Sequence, residues 1–301
     1  MHPRVRHCRW IISSACAIVL TFALTSRAQL PGEMQRQQTL KYLYALQQPD
    51  GSFGTSVQAP KSDLPTTSAA VRAIMYFGGE VPKADLCRRY LHGCQNEDGG
   101  FAANPGGMAD VRSTALAVLA LVELRDPDMP RLHRALRYLE NHARSFEEIR
   151  IAAAAFEALQ AAPNEKVLQA WQQEILRLRN DDGTFGKGDD VARDTGSAVA
   201  CLLRLGLPVE KADVVTQAIL RGQRPDGGWG RDQQPADLET TYRVLRALYM
   251  LKQKPNLDAC AHFVARCRCE NGGYALRPGE SASPQATYFA AAILRWVRHW
   301  R

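Results

Sequence analysis

Two carboxylates stand close together in the C-terminal half of the chain. Asp237 and Glu239 are two residues apart, Arg231 precedes them and Tyr242 follows them. Neighbouring carboxyl groups can act as acid and base when their surroundings separate their pKa values, and the arginine and the tyrosine could help to hold a ligand. The other interpretation is structural, with Asp237 capping a helix and Glu239 assisting it. The choice depends on the elements that position these residues.

The turn that precedes this segment recurs along the chain. Each copy has Asp-Gly or Asn-Gly, one further residue and then an aromatic residue. The leading glycines are Gly51, Gly99, Gly183, Gly227 and Gly272, so the spacings are 48, 84, 44 and 45 residues. Because 84 is twice 42, a sixth repeat without the turn signature is predicted in the long gap, with helices around residues 135–141 and 147–160.

Each turn is predicted to join two helices of different character. The second helix has a threonine near its start, preceded by an aspartate four residues earlier in three repeats. The pairs are Asp63/Thr67, Asp110/Thr114 and Asp237/Thr241, and Thr195 and Thr287 keep the threonine. Aspartate at such a position caps free backbone N–H groups. The second helices are apolar nearly all round, which predicts burial on every side, and the first helices have one polar face.

Six such pairs predict an all-α fold. It is an (α/α)6 toroid of six helix-turn-helix repeats, with twelve helices in two concentric rings over residues 29–301. An open solenoid is the alternative, but it would need polar capping repeats at both ends. The last predicted helix, residues 290–300, is as apolar as the others. The pattern therefore favours a closed ring.

The repeat resembles that of the protein prenyltransferase β subunits and the squalene and terpene cyclases, known as the prenyltransferase and squalene-oxidase repeat. The resemblance covers essentially all of residues 29–301. It implies an apolar central funnel inside the six second helices, with a ligand at the end where the turns gather. A funnel lined by aromatic residues of those helices would favour an apolar ligand. The candidates are Tyr76, Phe77, Phe156, Tyr242, Tyr249 and Tyr288.

The family's zinc site does not carry over to this chain. Arg231 matches the diphosphate-binding arginine of the prenyltransferases and Asp237 their zinc aspartate. Gln234 stands where they have a lysine, Glu239 where they have the zinc thiolate, and Ala286 where they have the histidine ligand. Since zinc needs about four ligands, we expect neither a zinc site nor any other cofactor.

The other chemistries of the fold are also unsupported. The cyclases' protonating motif Asp-x-Asp-Asp is absent from the chain, and the acidic residues of 189–194 have a different spacing. The internal thioester of complement-type domains needs Cys-x-x-Gln, whereas three residues after Cys94 this chain has Glu97 in place of the glutamine. Whether the protein is an enzyme therefore stays open.

A polar ring is the best remaining candidate site. Positions equivalent to Glu239 hold Pro65, Arg112 and Gln285 in other repeats, so the glutamate is not a structural need of the repeat. We expect Glu239, Arg231, Asp194 and Arg112 to gather at the funnel rim and, with Asp237 and Tyr242, to bind a ligand. Asp237 and Glu239 are the candidate catalytic residues.

Residues 1–28 have the pattern of a secretory signal. Arg4, Arg6 and Arg9 precede an apolar run over residues 10–24, and small residues lead to a cleavage site expected after Ala28. An uncleaved anchor is the alternative. We expect an exported protein, periplasmic or extracellular, with no membrane span after cleavage.

The charge of the chain argues against nucleic acid as a partner. The formal net charge is +7, and residues 1–28 hold four arginines and no acid, so the remainder carries +3. No cluster of basic residues interleaved with aromatics is present either.

The cysteines after residue 28 are expected to be small buried thiols, although their pairing stays open. Cys87 and Cys94 are seven residues apart on one predicted helix, as are Cys260 and Cys267, which separates the partners by ~10 Å and excludes a disulfide within either helix. Cys201 belongs to the same set, and Cys269 is the one expected to be exposed. A zinc site from Cys260, His262, Cys267 and Cys269 is disfavoured because they point to different helix faces.

Three functions are compatible with these observations. The first is a prenyltransferase- or terpene cyclase-like transferase or isomerase, or a binding protein, holding an isoprenoid or other apolar lipid in the funnel. The second is a noncatalytic envelope module that binds a protein or glycan partner. The third is a carbohydrate-active enzyme that uses paired carboxylates. A funnel lined by aromatics would favour the first, and a funnel plugged by large side chains the second.

Overall fold

The computed structural model describes residues 30–57 and 61–301, and the predicted signal and its cleavage site lie outside them. Twelve α-helices make up almost all of the regular structure of that part of the chain. Their bounds are α1 Glu33–Tyr44, α2 Leu64–Tyr76, α3 Ala84–Gly93, α4 Val111–Glu123, α5 Met129–His142, α6 Phe146–Ala158, α7 Glu165–Arg177, α8 Val191–Arg204, α9 Ala212–Arg221, α10 Leu238–Met250, α11 Leu257–Arg266 and α12 Pro284–Trp300. A short antiparallel pair, β1 Phe101–Ala102 and β2 Ala109–Asp110, lies in the second turn.

The even-numbered helices form a closed inner ring. Each packs against the next even-numbered helix, and α12 packs against α2. The odd-numbered helices lie outside, each against at least one inner helix adjacent to it in sequence. The ring is also closed in the outer layer, where the Thr39 hydroxyl on α1 donates a 2.7 Å hydrogen bond to the Gly272 carbonyl in the last turn. The predicted toroid is confirmed, and the open solenoid is wrong.

The repeated threonine explains how each turn is fixed to its inner helix. Its hydroxyl accepts a hydrogen bond of 2.8–3.0 Å from the backbone N–H of the turn's aromatic residue. The pairs are Thr67 with Phe53, Thr114 with Phe101, Thr195 with Phe185, Thr241 with Trp229 and Thr287 with Tyr274. Each aromatic side chain is buried, so the threonine satisfies an N–H that water cannot reach.

The leading glycine of each turn is required for two reasons. At Gly227, φ is +95°, a conformation that residues with a side chain rarely adopt. A Cβ atom there would also lie 2.0 Å from the carbonyl oxygen of Ala259 in the next outer helix. The turn thus packs directly on the backbone of the following repeat, which links neighbouring repeats around the ring.

The third repeat is built differently, as the missing turn signature predicted. Its helices α5 and α6 are joined by only three residues, 143–145, whereas the other five repeats use 13 to 19 residues at the same place. Ser145 and Glu148 form a reciprocal capping box at the start of α6. That cap replaces the aspartate and threonine of the other repeats.

The cysteines of the described residues are free thiols. Cys87, Cys94, Cys201, Cys260 and Cys267 are buried and Cys269 is partly exposed. The prediction of small buried thiols, with Cys269 the most accessible, is confirmed. Within residues 30–57 and 61–301, no helix is both long and apolar enough to cross a membrane.

Candidate functional site

The six inner helices enclose a cavity of about 200 Å³. We call its open end the mouth; it is formed by Pro65, Arg112, Glu147, Glu239 and Gln285, which lie in the first turns of five inner helices. We call its inner end the floor; it is formed by Arg72, Arg204, Tyr242 and Tyr288. The helix rise from Pro65 to Arg72 makes the cavity ~10 Å deep.

The walls of the cavity divide into an apolar and a polar side. Leu116 and Leu119 of α4 and Ile151 and Ala154 of α6 form the apolar side. The rest of the lining is mostly polar and consists of arginine, glutamate and tyrosine side chains that project from all six inner helices. A cavity of this kind fits a molecule with both a hydrocarbon part and a charged or polar part.

Ion pairs connect the charged groups at the mouth. Glu147 lies 2.8 Å from Arg150 and 2.9 Å from Arg243, and Arg243 lies 2.8 Å from Glu239. Partial burial by itself would raise the pKa of Glu147, but the two guanidinium groups outweigh it and lower that pKa to about 2. Glu147 is therefore fully ionised at neutral pH and is no general acid.

The floor holds guanidinium and phenol groups at close range. Arg72 donates a hydrogen bond to the Tyr288 hydroxyl, and its guanidinium carbon lies 3.9 Å from the centre of the Tyr288 ring. The hydroxyls of Tyr288 and Tyr242 are 2.9 Å apart. Arg204 pairs with Glu157 at 3.1 Å, and Arg246, just beneath, pairs with the same carboxylate.

The two floor tyrosines differ in acidity. Burial by itself would raise the pKa of Tyr242, but the guanidinium groups of Arg72, Arg204 and Arg246 lower it to about 7. Burial raises the pKa of Tyr288 well above its ordinary value, and the neighbouring Tyr242 adds to that increase. The hydrogen-bonded pair can therefore release one proton near neutral pH and retains the other.

Large side chains close the lumen below the floor. Tyr242 stacks on Trp296 with 5.4 Å between ring centres, and Tyr249 stacks on the same indole at 5.8 Å. Trp300 meets Tyr249 edge to face. Among residues 30–57 and 61–301, the C-terminal part of α12 thus fills the far half of the ring, and the cavity opens at the mouth.

The structure brings three of the six predicted ligand-binding residues to the cavity. Arg112 and Glu239 lie at the mouth and Tyr242 at the floor. Asp194 lies in a separate depression that shares Glu147 with the cavity, and burial raises its pKa.

The other two predicted residues have different surroundings. Arg231 is exposed in the turn before α10 and does not line the cavity. Asp237 is buried, and its two oxygens accept hydrogen bonds from the backbone N–H and the hydroxyl of Thr240. It therefore caps α10, and the four-member rim ring is not assembled as predicted.

Some of the aromatic residues predicted to line the funnel face away from it. Phe77 stacks on Tyr274 and Phe156 meets Trp171 of α7 edge to face. Phe156 cannot share a face with Ile151 and Ala154, because residues one turn apart face the same way and Phe156 is two residues past Ala154. Of the six aromatic candidates, Tyr242 and Tyr288 line the cavity, and Tyr76, Phe77, Phe156 and Tyr249 do not.

Sequence reasoning missed the arginines inside the ring. Arg72 is the one charged residue of α2, on the same face as Pro65 and Ala69. Helix α6 likewise carries Glu147 and Arg150 on its cavity face, so it is not apolar all round. The signal was a lone charge in an apolar helix, three or four residues from other members of one face.

The positions that match the family's zinc ligands do not fit a zinc ion. Asp237 is occupied as a helix cap, Glu239 pairs with Arg243, and Ala286 has no donor atom. Across the described part of the chain, no three or more His, Cys, Asp or Glu side chains come together as a metal site would require.

Comparisons with known proteins agree with this architecture. The family model of the prenyltransferase alpha-alpha toroid domain matches residues 4–149 and 132–299. Protein geranylgeranyltransferase-I of Candida albicans, solved with GGPP, is 15% identical at a TM-score of 0.64, covering 88% of this chain and 91% of that one. The type II terpene cyclase MstE of Scytonema, solved with geranylgeranyl dihydroxybenzoate, is 14% identical at a TM-score of 0.61, covering 88% and 96%.

A curated relative is also similar in sequence. Drimenyl diphosphate synthase of Streptomyces showdoensis is 23% identical over 256 residues, which are 81% of this chain and 42% of that protein. The chain therefore spans about two fifths of the length of this relative.

Proposed function

The chain belongs to the prenyltransferase alpha-alpha toroid family, and from that premise we propose that it binds one amphiphilic isoprenoid or lipid molecule in its central cavity. Large aromatic side chains fill only the far half of the lumen, and the observation that carries the proposal is the cavity of about 200 Å³ above them, with an apolar wall and a cationic floor. Two structures of similar fold hold geranylgeranyl compounds. A ligand with a hydrocarbon chain and an anionic end would complement both sides.

We further propose that the protein does this without the zinc chemistry of the prenyltransferases. Of the three positions that match the zinc ligands, Asp237 caps a helix, Glu239 pairs with Arg243 and Ala286 has no donor atom. Arg231, which matches the diphosphate-binding arginine, does not line the cavity. The structure also leaves no support for a carbohydrate-active enzyme, because Asp237 and Glu239 do not form a catalytic carboxylate pair. Asp237 serves as a cap, Glu147 is held as an anion by Arg150 and Arg243, and Glu239 pairs with Arg243.

Ligand binding can be tested with a variant that fills the cavity. Leu116→Trp adds a large side chain to the apolar wall, whereas Met129→Trp adds the same side chain to an exposed site on outer helix α5. Native mass spectrometry with farnesyl monophosphate should show one ligand per chain for the wild type and Met129→Trp, and none for Leu116→Trp. Binding that survives Leu116→Trp would place the ligand outside the cavity and contradict the proposal.

The metal proposal has its own measurement. Elemental analysis of the purified protein should find no stoichiometric zinc. One zinc per chain that is lost in Glu239→Ala would overturn the assignment.

Export is proposed on the pattern of residues 1–28 alone. Mass analysis of protein recovered from the cell envelope should give a chain that begins at Gln29. A full-length chain retained in the membrane would favour the uncleaved anchor.

A further inference from the structure

Positive charge exceeds negative charge at the floor. Three guanidinium groups meet there, from Arg72, Arg204 and Arg246. Among the described residues, the only carboxylate in contact with them is Glu157, which pairs with Arg204 and Arg246. Arg72 is 8% exposed and has tyrosine partners instead of a carboxylate. The three guanidinium groups therefore outnumber the carboxylates by two, and only partial ionisation of the Tyr242 phenol reduces that excess near neutral pH.

The mouth does not share this imbalance. Arg150 and Arg243 are matched there by Glu147 and Glu239, and each of the four has a partner within 2.9 Å. The remaining mouth arginine, Arg112, is exposed to water and is balanced in number by Glu148, which also lines the cavity. The unbalanced charge thus lies at the closed end of the cavity, where water is least available to solvate it.

Such an arrangement is costly for the empty protein. An ionised group withdrawn from water without a counter-charge loses solvation that hydrogen bonds to neutral groups only partly replace. Arginine cannot escape this cost by losing its proton, since its pKa is too high. The Nε atom of Arg246 is buried and has no hydrogen-bond partner. An anion at the floor would offset the excess charge and accept hydrogen bonds from Arg72 and Arg204, which line the cavity, whereas Arg246 lies behind them and acts through its charge.

We propose that the floor is an anion-binding site, so that the cavity's ligand enters with its phosphate or carboxylate end first. This inference rests on the proposed function for the identity of the ligand as an amphiphile. It places the anionic end beside Arg72, Arg204 and the hydroxyls of Tyr242 and Tyr288. The hydrocarbon part then runs along Leu116 and Ile151 toward the mouth.

The experiment compares one substitution at the two ends of the cavity. Arg72→Met removes a floor guanidinium and Arg112→Met a mouth guanidinium; neither strands a carboxylate, because neither arginine forms a salt bridge within residues 30–57 and 61–301. Arg177→Met on outer helix α7 controls for the loss of one charge. Binding of farnesyl monophosphate, farnesol, inorganic pyrophosphate and palmitate is measured by titration calorimetry.

The floor site predicts that farnesyl monophosphate binds the wild type at least about tenfold more tightly than farnesol, as expected for hydrogen bonds to charged groups. Arg72→Met should abolish that difference, and Arg177→Met should keep it. Loss of the difference in Arg112→Met but not in Arg72→Met would place the anion at the mouth and overturn the proposal. Equal binding of alcohol and phosphate would overturn it too, while leaving the proposed function intact.

Two further arms separate the remaining outcomes. If neither prenyl compound binds but pyrophosphate does, and Arg72→Met abolishes this, the floor site stands and the proposed function fails. The ratio of monophosphate to palmitate affinity identifies the anion for which the floor is built. At a pH below the value of about 7 at which Tyr242 ionises, the apo melting temperature of Arg72→Met should equal or exceed that of the wild type, because the substitution removes a charge that no carboxylate compensates. If it falls, Arg204→Met provides the second floor variant for the same measurements.

Discussion

The phenol of Tyr242 is the titratable group at the centre of the floor. Arg72, Arg204 and Arg246 surround it, and Tyr288 hydrogen-bonds to it. The three guanidinium groups favour the phenolate, which would act as an internal counter-ion while the cavity is empty. Since a phenolate and a bound anion would share the same guanidiniums, each weakens the other at the floor.

The pKa of Tyr242 has a consequence for stability that can be measured. It lies near 10 in an unfolded chain and at about 7 in the folded protein. A depressed pKa adds stability that is complete above the unfolded value and is lost as pH falls through the folded value. From pH 7 to 8.5 the free energy of unfolding of the wild type should therefore rise, relative to Tyr242→Phe, by up to about 2 kcal/mol.

Denaturant titrations at several pH values, together with tyrosinate absorbance of the native protein, would test this prediction. Tyr249→Phe is the matched control, because Tyr249 stacks on the same Trp296 away from the guanidinium cluster. Stability curves that stay parallel for the wild type and Tyr242→Phe across this range would contradict the assignment.

At this scale the sequence predicted little of the site. Asp237 and Glu239 were candidates because they are close in sequence, yet one caps a helix and the other pairs at the mouth. The floor instead joins Arg72 to Tyr288, 216 residues apart. Proximity of that kind depends on ring closure and on the rotation of each helix about its axis, which single-sequence spacing does not define.

The helices and turns, in contrast, could be predicted because their determinants are local. The Asp-Gly-x-aromatic turn, its glycine at positive φ and the threonine of the next helix all lie within about 20 residues of one another. Even the third repeat, which lacks the turn, was predicted from the period and from its helical pattern. Its capping box supplies by other means what the turn supplies elsewhere.

The turn glycines allow the free-energy cost of a positive φ to be measured separately from the cost of a steric clash at the added Cβ atom. Gly227 and Gly106 both have positive φ, at +95° and +76°, but only Gly227 has a neighbour where a Cβ would lie. Gly106→Ala should cost about 1–2 kcal/mol for the backbone conformation alone. Gly227→Ala should cost several kcal/mol more, because the methyl group would meet the Ala259 carbonyl.

Chemical denaturation of both glycine variants gives the comparison. Similar losses of stability would mean that the turn moves away from α11 at little cost, and that the contact between repeats is weaker than the packing indicates.

The closed ring is a property of the whole molecule, and it brings the two ends of the described toroid together. Leu30 and Arg301 line the same surface groove. A chain of residues 30–301 whose ends are joined by a short Gly/Ser linker, and which is opened between Ala161 and Ala162 in the loop after α6, should fold with native helix content and bind ligand. The same permutation opened inside α4 should not.

Circular dichroism and the calorimetric assay would check both permuted proteins. If the protein opened between Ala161 and Ala162 did not fold, the packing of α1 and α12 would depend on the native chain connectivity and not only on the contacts between these helices. Ring closure itself could be predicted from the apolar last helix. The arginines that line the ring's interior could not, because the same residues are compatible with a solvent-exposed helix face.

The three-residue link of the third repeat makes the rim of the mouth lower beside α6 than beside the other five inner helices. Long turns stand around the mouth beside five inner helices, but beside α6 the outer helix leads almost directly into the inner one. Phe146 and Leu178 lie next to that low side, in the depression that shares Glu147 with the cavity. A hydrocarbon chain longer than the ~10 Å depth has to emerge at the mouth, and the short link leaves this side of the mouth less covered than the others. The short link between α5 and α6 would thus fix the direction in which a long ligand leaves the ring.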